Sequence, residues 1–359
     1  MRILLISLLI FPCASFAQVY GFNSLADFGK IKPQSQIEVT NIPPNVTQDS
    51  LGVCYSCVAS IMLTAENCRT MKTDCQKVAP EDTFSVVGMA PYGRGDDSEK
   101  KQPTGPTKEK KNDRSDGLPG GSVVDLLKYM KYGYAPSEKC ISLDQILSKI
   151  GGAQEPTNSQ IDIWVMLKEM YYNSKKIEPN CPTCQNEFYT RAKDEIEANF
   201  NLKLSNEAML KAFSQETYSR FFDKLFVRSE CNKLANGVVF EGQKLELDYL
   251  SKEPKRSNYT ESIKKVKEVL GKGHTLGLTN ICLDKKSSKA DTCAMQHAVV
   301  VSGYRQVCNA KGVCKDSIKV INCWGKKWQE QNDGGWVDAK ELIDRTSYQI
   351  GSLSWFNDK

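Results

Sequence analysis

Histidine is nearly missing from this chain: there are two in 359 residues. They are His274 and His297, so any chemistry that needs an imidazole must use one of them. Long apolar runs are missing as well. The run from Ile3 to Phe11 is too short to span a bilayer, and no later stretch is long and apolar enough. Neither sign of charge dominates. The chain has 48 Lys and Arg against 43 Asp and Glu, a formal +5, too small and too evenly spread for a nucleic-acid partner. These absences leave a globular protein with no membrane span and no nucleic-acid partner.

Cysteine is abundant, with 14 residues. The segment 1–17 carries Arg2, the short apolar run and then Ser15-Phe16-Ala17, the grammar of a secretory signal cleaved after Ala17. Removing Cys13 with it leaves 14 minus 1, or 13, cysteines. An odd count suits an exported protein, periplasmic or extracellular, with disulfides and one spare thiol. Two Cys-x-x-Cys spacings occur, Cys54 with Cys57 and Cys181 with Cys184, and no histidine lies near either in sequence. Zinc is therefore poorly supported; no metal and no cofactor is expected.

Residues 18–47 carry Pro33, Pro43 and Pro44 and read as an extended lead-in. Residues 48–141 read as a helical region interrupted at 92–117 by a charged loop poor in apolar side chains. Residues 142–252 are mainly helical and charged, with Cys181-Pro182-Thr183-Cys184 in a turn. Residues 253–359 begin with a helix marked by Ile263, Val266, Val269 and Leu270. Strand-like runs follow at Thr275–Leu283, Ala298–Tyr304, Ile318–Cys323 and Tyr348–Trp355. Helices first and strands last make an α+β protein with two lobes. Cys282 with Cys293 and Cys308 with Cys314 look like local staples.

Within this frame, Gln48 to Cys57 reads as a loop entering a helix at Cys54, with Val58, Ile61, Met62 and Ala65 as one core-facing stripe. A cysteine at a helix start lies in the positive end of the dipole, which favours the nucleophilic thiolate. Gln48, just upstream, can aim an amide at a developing oxyanion. Gly120-Gly121 precede another helical pattern. His297 begins an apolar strand. His274 sits at a helix-to-strand turn, where a solvated side chain is the simple reading. Asn322, ahead of Cys323, Trp324 and Trp328, can fix an imidazole by accepting its N–H, and a tryptophan can cover that bond. Taken singly, Asn322 or the glycine pair is ordinary; the order Cys, His, Asn is not.

That order, with its local contexts, resembles the papain-like cysteine peptidases. Gln48 to Tyr55, Gly120-Gly121, His297-Ala298-Val299 with Gly303-Tyr304, and Asn322-Cys323-Trp324-Gly325 with Trp328 carry the resemblance as islands. It implies a two-lobed fold with a helical left lobe, a β-barrel-like right lobe and the cleft between them. It implies hydrolysis of peptide bonds in a protein or peptide substrate by a monomer, with Cys54, His297 and Asn322 catalytic and Gln48 in the oxyanion hole. Gly120, Gly121, Met295, Gln296 and Trp324 would then bind substrate. The chain departs from the pattern in several places. Cys54 and His297 stand 297 minus 54, or 243, positions apart, against roughly 130–150 in the family; the charged loop and the 142–252 segment account for the excess as insertions. Leu51, Tyr55 and Cys323 replace the family's usual cysteine, tryptophan and serine. No long inhibitory propeptide fits between Ala17 and Gln48. Two other readings share the residues: a transpeptidase or ligase, in which an amine replaces water, and a catalytically silent exported binding protein.

Overall fold

A run of β-branched residues, Val299-Val300-Val301, forms the middle of the longest strand, and its alternation organises the whole molecule. In the computed structural model the described residues are 22–26, 28, 35–48, 51–93, 121–131, 134–144, 146, 158–178, 180–200, 202–226, 237–239, 245–250, 259–283, 293, 296–346 and 352–358. Residues 1–17, read from the sequence as a secretory signal, residues 94–117 of the charged loop, Gly120 and Met295 lie outside them. The fold is mixed, with a large antiparallel sheet. Its strands are β1 (Ser35–Glu38), β4 (Leu245–Tyr249), β5 (Leu276–Cys282), β6 (Gln296–Cys308), β7 (Cys314–Ile321), β8 (Trp336–Asp338) and β9 (Leu353–Asp358). A separate pair is made by β2 (Tyr134–Pro136) and β3 (Gly237–Val239).

The sheet order is β4-β9-β5-β6-β7-β8, and β1 pairs with the far half of β6. Because β6 has 13 residues, its first half pairs with β5 and its second half with β1 and β7. Successive side chains point to opposite faces of a strand, and here both faces are buried. Ala298, Val300 and Phe356 join one apolar cluster; Val299, Val301 and Trp355 join the other. The second face is covered by α8 (Tyr259–Gly271), through Ile263, Val266, Val269 and Leu270, and by α10 (Ala339–Asp344).

The first face receives α1 (Cys54–Met71). Gly277 lets it approach: a Cβ there would press on Val58 and Met62 of the helix. The expected single stripe is too narrow an account, because Tyr55 through Cys68 are buried on every side. The helix lies between the sheet and α2 (Val86–Met89) and α3 (Val123–Lys131). Its small polar residues can be buried because each meets main chain of 82–86. Ser56 and Ser60 donate to the Val86 and Phe84 carbonyls, both at 2.6 Å, and Thr64 accepts from the Phe84 amide at 3.2 Å.

The 142–252 segment holds α4 (Asn158–Ser174), α5 (Pro182–Asn199), α6 (Asn206–Phe213) and α7 (Tyr218–Phe226). Phe200, Phe213, Phe221, Phe222 and Phe226 pack together and share the apolar cluster of α1. Its last portion, read as mainly helical, instead supplies β4, the edge strand beside β9. Cys181 and Cys184 are not in a free turn: Cys181 caps α5 and Cys184 lies in its first turn.

Disulfides join Cys57 to Cys323, Cys68 to Cys75, Cys181 to Cys184, Cys282 to Cys293 and Cys308 to Cys314. Cys140 is also oxidised. Among the described residues Cys54 is the cysteine outside the disulfides, and no helix is long and apolar enough to cross a membrane.

Candidate active site

Cys54 is the first residue of α1 and is partly buried. Val53 caps the helix without a side-chain bond, and its carbonyl takes the amides of Ser56 and Cys57, both at 2.9 Å. The helix therefore starts in a tight turn with its positive end at Cys54. Beside it, the Tyr55 hydroxyl donates to the Ala90 carbonyl at 2.7 Å. A Cβ on Gly93 or Gly121 would fall into the Tyr55 ring. The close approach that Gly121 permits is thus made to the residue after Cys54.

His297 is the second residue of β6, opposite Ile281 of β5. The register shifts between Leu278 and Ile281, where Asn280 has φ 59°. Such a bulge bends a strand and re-aims the side chains next to it. His297 is 5% exposed, and its Nε2 lies 2.8 Å from Asn322 Oδ1. Since that oxygen only accepts, Nε2 carries the proton and Nδ1 is left as the basic nitrogen. Trp324 stacks on the imidazole with centroids 4.6 Å apart and planes at 22°. Burial pushes the His297 pKa down to about 4, partly opposed by the Asn322 bond. The ring alone is therefore a neutral base at pH 7.

Asn322 follows β7 and is held by its main chain. Asn45 donates to its carbonyl at 3.0 Å, and Gln329 of α9 (Gly325–Gln331) accepts from its amide at 3.4 Å. The next residue, Cys323, is bonded to Cys57, one turn into α1. Gln48 belongs to the same knot. Its amide donates to the Cys323 carbonyl at 2.7 Å, and its side-chain Nε2 to the Leu51 carbonyl at 3.0 Å. Thr47 bridges Trp324. One N–H of the Gln48 side chain thus remains beyond the bond to Leu51.

The structure therefore brings His297, Asn322 and Trp324 together. It ties Gln48 and the helix of Cys54 to the Asn322 segment. Gln296 is exposed at the start of β6, next to His297. His274 is elsewhere and is not solvated. It is 0% exposed, and its Nδ1 lies 2.8 Å from Glu66 Oε1, while the other carboxylate oxygen, Oε2, meets Arg69. The turn placed it between α8 and β5, but a carboxylate 208 positions away makes its burial possible. The supports from Asn45, Gln329 and the Cys57–Cys323 bond were not read from the sequence. No local spacing signals them, because their partners come from distant parts of the chain.

No protein-family model matches the chain, and no curated protein matches it. Among solved structures, the chain is similar to SERA5E from Plasmodium falciparum at 14% identity and a TM-score of 0.35, with 88% of each chain covered. At that TM-score the match says nothing of how this chain folds or acts.

Proposed function

We propose that this protein is an exported papain-like cysteine peptidase that hydrolyses peptide bonds through an acyl-enzyme. The supporting observation is the Nε2–Asn322 bond of a buried His297 beneath Trp324, which leaves Nδ1 as a base; Cys54, outside any disulfide, starts the helix whose next turn is bonded to the residue after Asn322. In this reading the Cys54 proton passes to His297 Nδ1 and the thiolate attacks the scissile carbonyl carbon. The carbonyl electron pair moves to oxygen, where the Cys54 amide and Gln48 Nε2 receive it. The C–N bond breaks as the imidazolium returns its proton to the leaving amine, giving a thioester. Water then attacks the thioester with His297 as base, and the acid leaves with Cys54 restored. Asn322 keeps the ring in one tautomer throughout. Gly120, Gly121, Met295, Gln296 and Trp324 are read as the substrate-facing set, the cleft as lying between two lobes, and 142–252 as an elaboration. Disulfides suit the exported location.

The test is labelling with an epoxide thiol inhibitor, followed by peptide mapping and an assay on a mixed peptide substrate. The expected result is one adduct, on Cys54, with loss of turnover. An adduct mapped elsewhere, or undiminished turnover in Cys54→Ala, would overturn the reading.

A further inference from the structure

The N-terminal segment crosses to the far edge of the sheet and docks there. The Asp338 amide donates to the Asn23 carbonyl at 2.8 Å, Ser24 bridges Val337 of β8, and Asn23 Nδ2 donates to Glu341 Oε2 of α10 at 2.6 Å. Leu25 is buried behind these bonds. Docking delivers one side chain to the candidate site. Phe22, 5% exposed, stands edge-on to His297 at 6.2 Å, to Trp324 at 5.8 Å and to Trp328 at 5.3 Å. Edge-to-face rings prefer such angles, because the positive rim of one meets the negative face of another. Trp324 covers the imidazole face to face, and Phe22 braces both rings from a third direction.

We propose that Phe22 is a positioning residue for His297: the N-terminal segment, docked on β8, completes the aromatic wall that holds the imidazole against Asn322 and keeps water from it. The proposal rests on His297 being the base of the site, but its test reads the ring itself. No charged group contributes to the depressed His297 pKa; burial and the Asn322 bond account for it. Of the neighbouring side chains named here, Asn322, Trp324 and Phe22 are neutral, which leaves the Cys54 thiol on α1 as the titratable group of the site.

The experiment is an NMR titration of His297 in a Cys54→Ala background, which removes the thiol. Phe22→Ala should admit water and raise the midpoint by about one unit or more, a tenfold gain in proton affinity. Phe22→Leu, which keeps apolar bulk without the ring, should raise it by about half as much. Leu342→Ala, in the same apolar cluster on α10, supplies a comparable core defect and should leave the midpoint in place. An unmoved midpoint in Phe22→Ala, or an equal shift in Leu342→Ala, would overturn the proposal. If Phe22→Ala does not fold, Phe22→Leu decides by the same reading. Lack of peptidase turnover in the unmodified protein would count against the catalytic reading alone.

Discussion

Replacing Cys54 with alanine should change the ionisation of His297 by a predictable amount. Without a thiolate, burial holds the imidazole near a pKa of about 4, so at pH 7 roughly one molecule in a thousand carries the proton. Moving a proton onto this imidazole from a thiol of ordinary pKa, about 8.5, spans about 4.5 units, so a half-formed thiolate–imidazolium pair needs about 6 kcal/mol of mutual stabilisation. Opposite charges about 4 Å apart at an effective dielectric near 20 attract by about 4 kcal/mol. The shortfall of about 2 kcal/mol is what a helix N-terminus can give a partly buried anion, so the pair forms only with the positive end of α1 at Cys54. With two histidines in the chain, ring-proton NMR resolves each, and His297→Gln assigns the signal. The expected midpoint is near 4 in Cys54→Ala and at least two units higher in the unsubstituted protein. Stability follows with a definite sign. Between the unfolded pKa of 6.5 and the folded value of about 4, the unfolded chain binds more protons, so unfolding free energy rises with pH. In Cys54→Ala this contribution is fully present above pH 6.5. It declines by about 3 kcal/mol as pH falls to about 4, and His297→Gln in the same background removes that slope. Equal midpoints with and without Cys54 would show that the two groups are not coupled, and the proposed pair would fail. A midpoint near 6.5 in Cys54→Ala would show that the ring is not dry.

Other perturbations have defined outcomes. Removing both Cys57 and Cys323 opens a link of sequence separation 266; guanidinium unfolding should show a loss of about 4–5 kcal/mol, with inhibitor labelling of the folded fraction still on Cys54. Glu138 accepts the Val86 and Leu143 amides, and burial raises its pKa to about 7. Its folded pKa lies above the unfolded one, so its share of stability is whole below pH 4.5 and falls by about 3 kcal/mol as pH rises to 7, a slope that Glu138→Gln should abolish in urea unfolding. The Cys181–Cys184 disulfide has neither partner buried and closes the shortest loop of the five named, so graded reduction with mass mapping should open it first with the circular dichroism unchanged; prior reduction of Cys57–Cys323 would contradict this. His274→Ala removes one hydrogen-bond partner of the Glu66 carboxylate, 2% exposed, which keeps Arg69; calorimetry should show a loss of about 1–3 kcal/mol, while Cys54 labelling persists.

The sequence was legible where structure is local. Helix α8 declares itself by four apolar residues on one face, and β5, β6, β7 and β9 fall on or beside runs of apolar or β-branched residues. The loop-to-helix entry at Cys54 follows from a glycine followed by helical spacing. What stayed hidden depends on partners far along the chain. Strand β1 is Ser35-Gln36-Ile37-Glu38, polar enough to read as a lead-in, and it is a strand because β6 outruns β5 and offers an open edge. Strand β4, Leu245-Glu246-Leu247-Asp248-Tyr249, lies inside the segment 142–252 read as mainly helical, and it is a strand because it pairs with β9. Phe22 carries no local signal at all, since its importance comes from rings some 300 positions away.

The same distinction explains how the candidate site is built. Its residues come from three chain regions, around 48–54, 297 and 322, yet two of these are fused. Residues 47–57 meet residues 322–324 through the Thr47–Trp324 bridge, the Gln48 amide on the Cys323 carbonyl and the Cys57–Cys323 disulfide. The start of α1 and the Asn322 segment must therefore move as one piece. His297 comes on β6, whose main-chain ladder with β7 reaches Val300 opposite Ile321, and its ring meets the piece at the Asn322 bond and the Trp324 stack. The main chain thus places His297 beside the Asn322 segment, and two side-chain contacts aim its ring. A change at Trp324 or Asn322 should then disturb His297 far more than it disturbs Cys54. Replacing Cys57 and Cys323 should loosen Cys54 and Asn322 together, because the bond lost is one that both segments share.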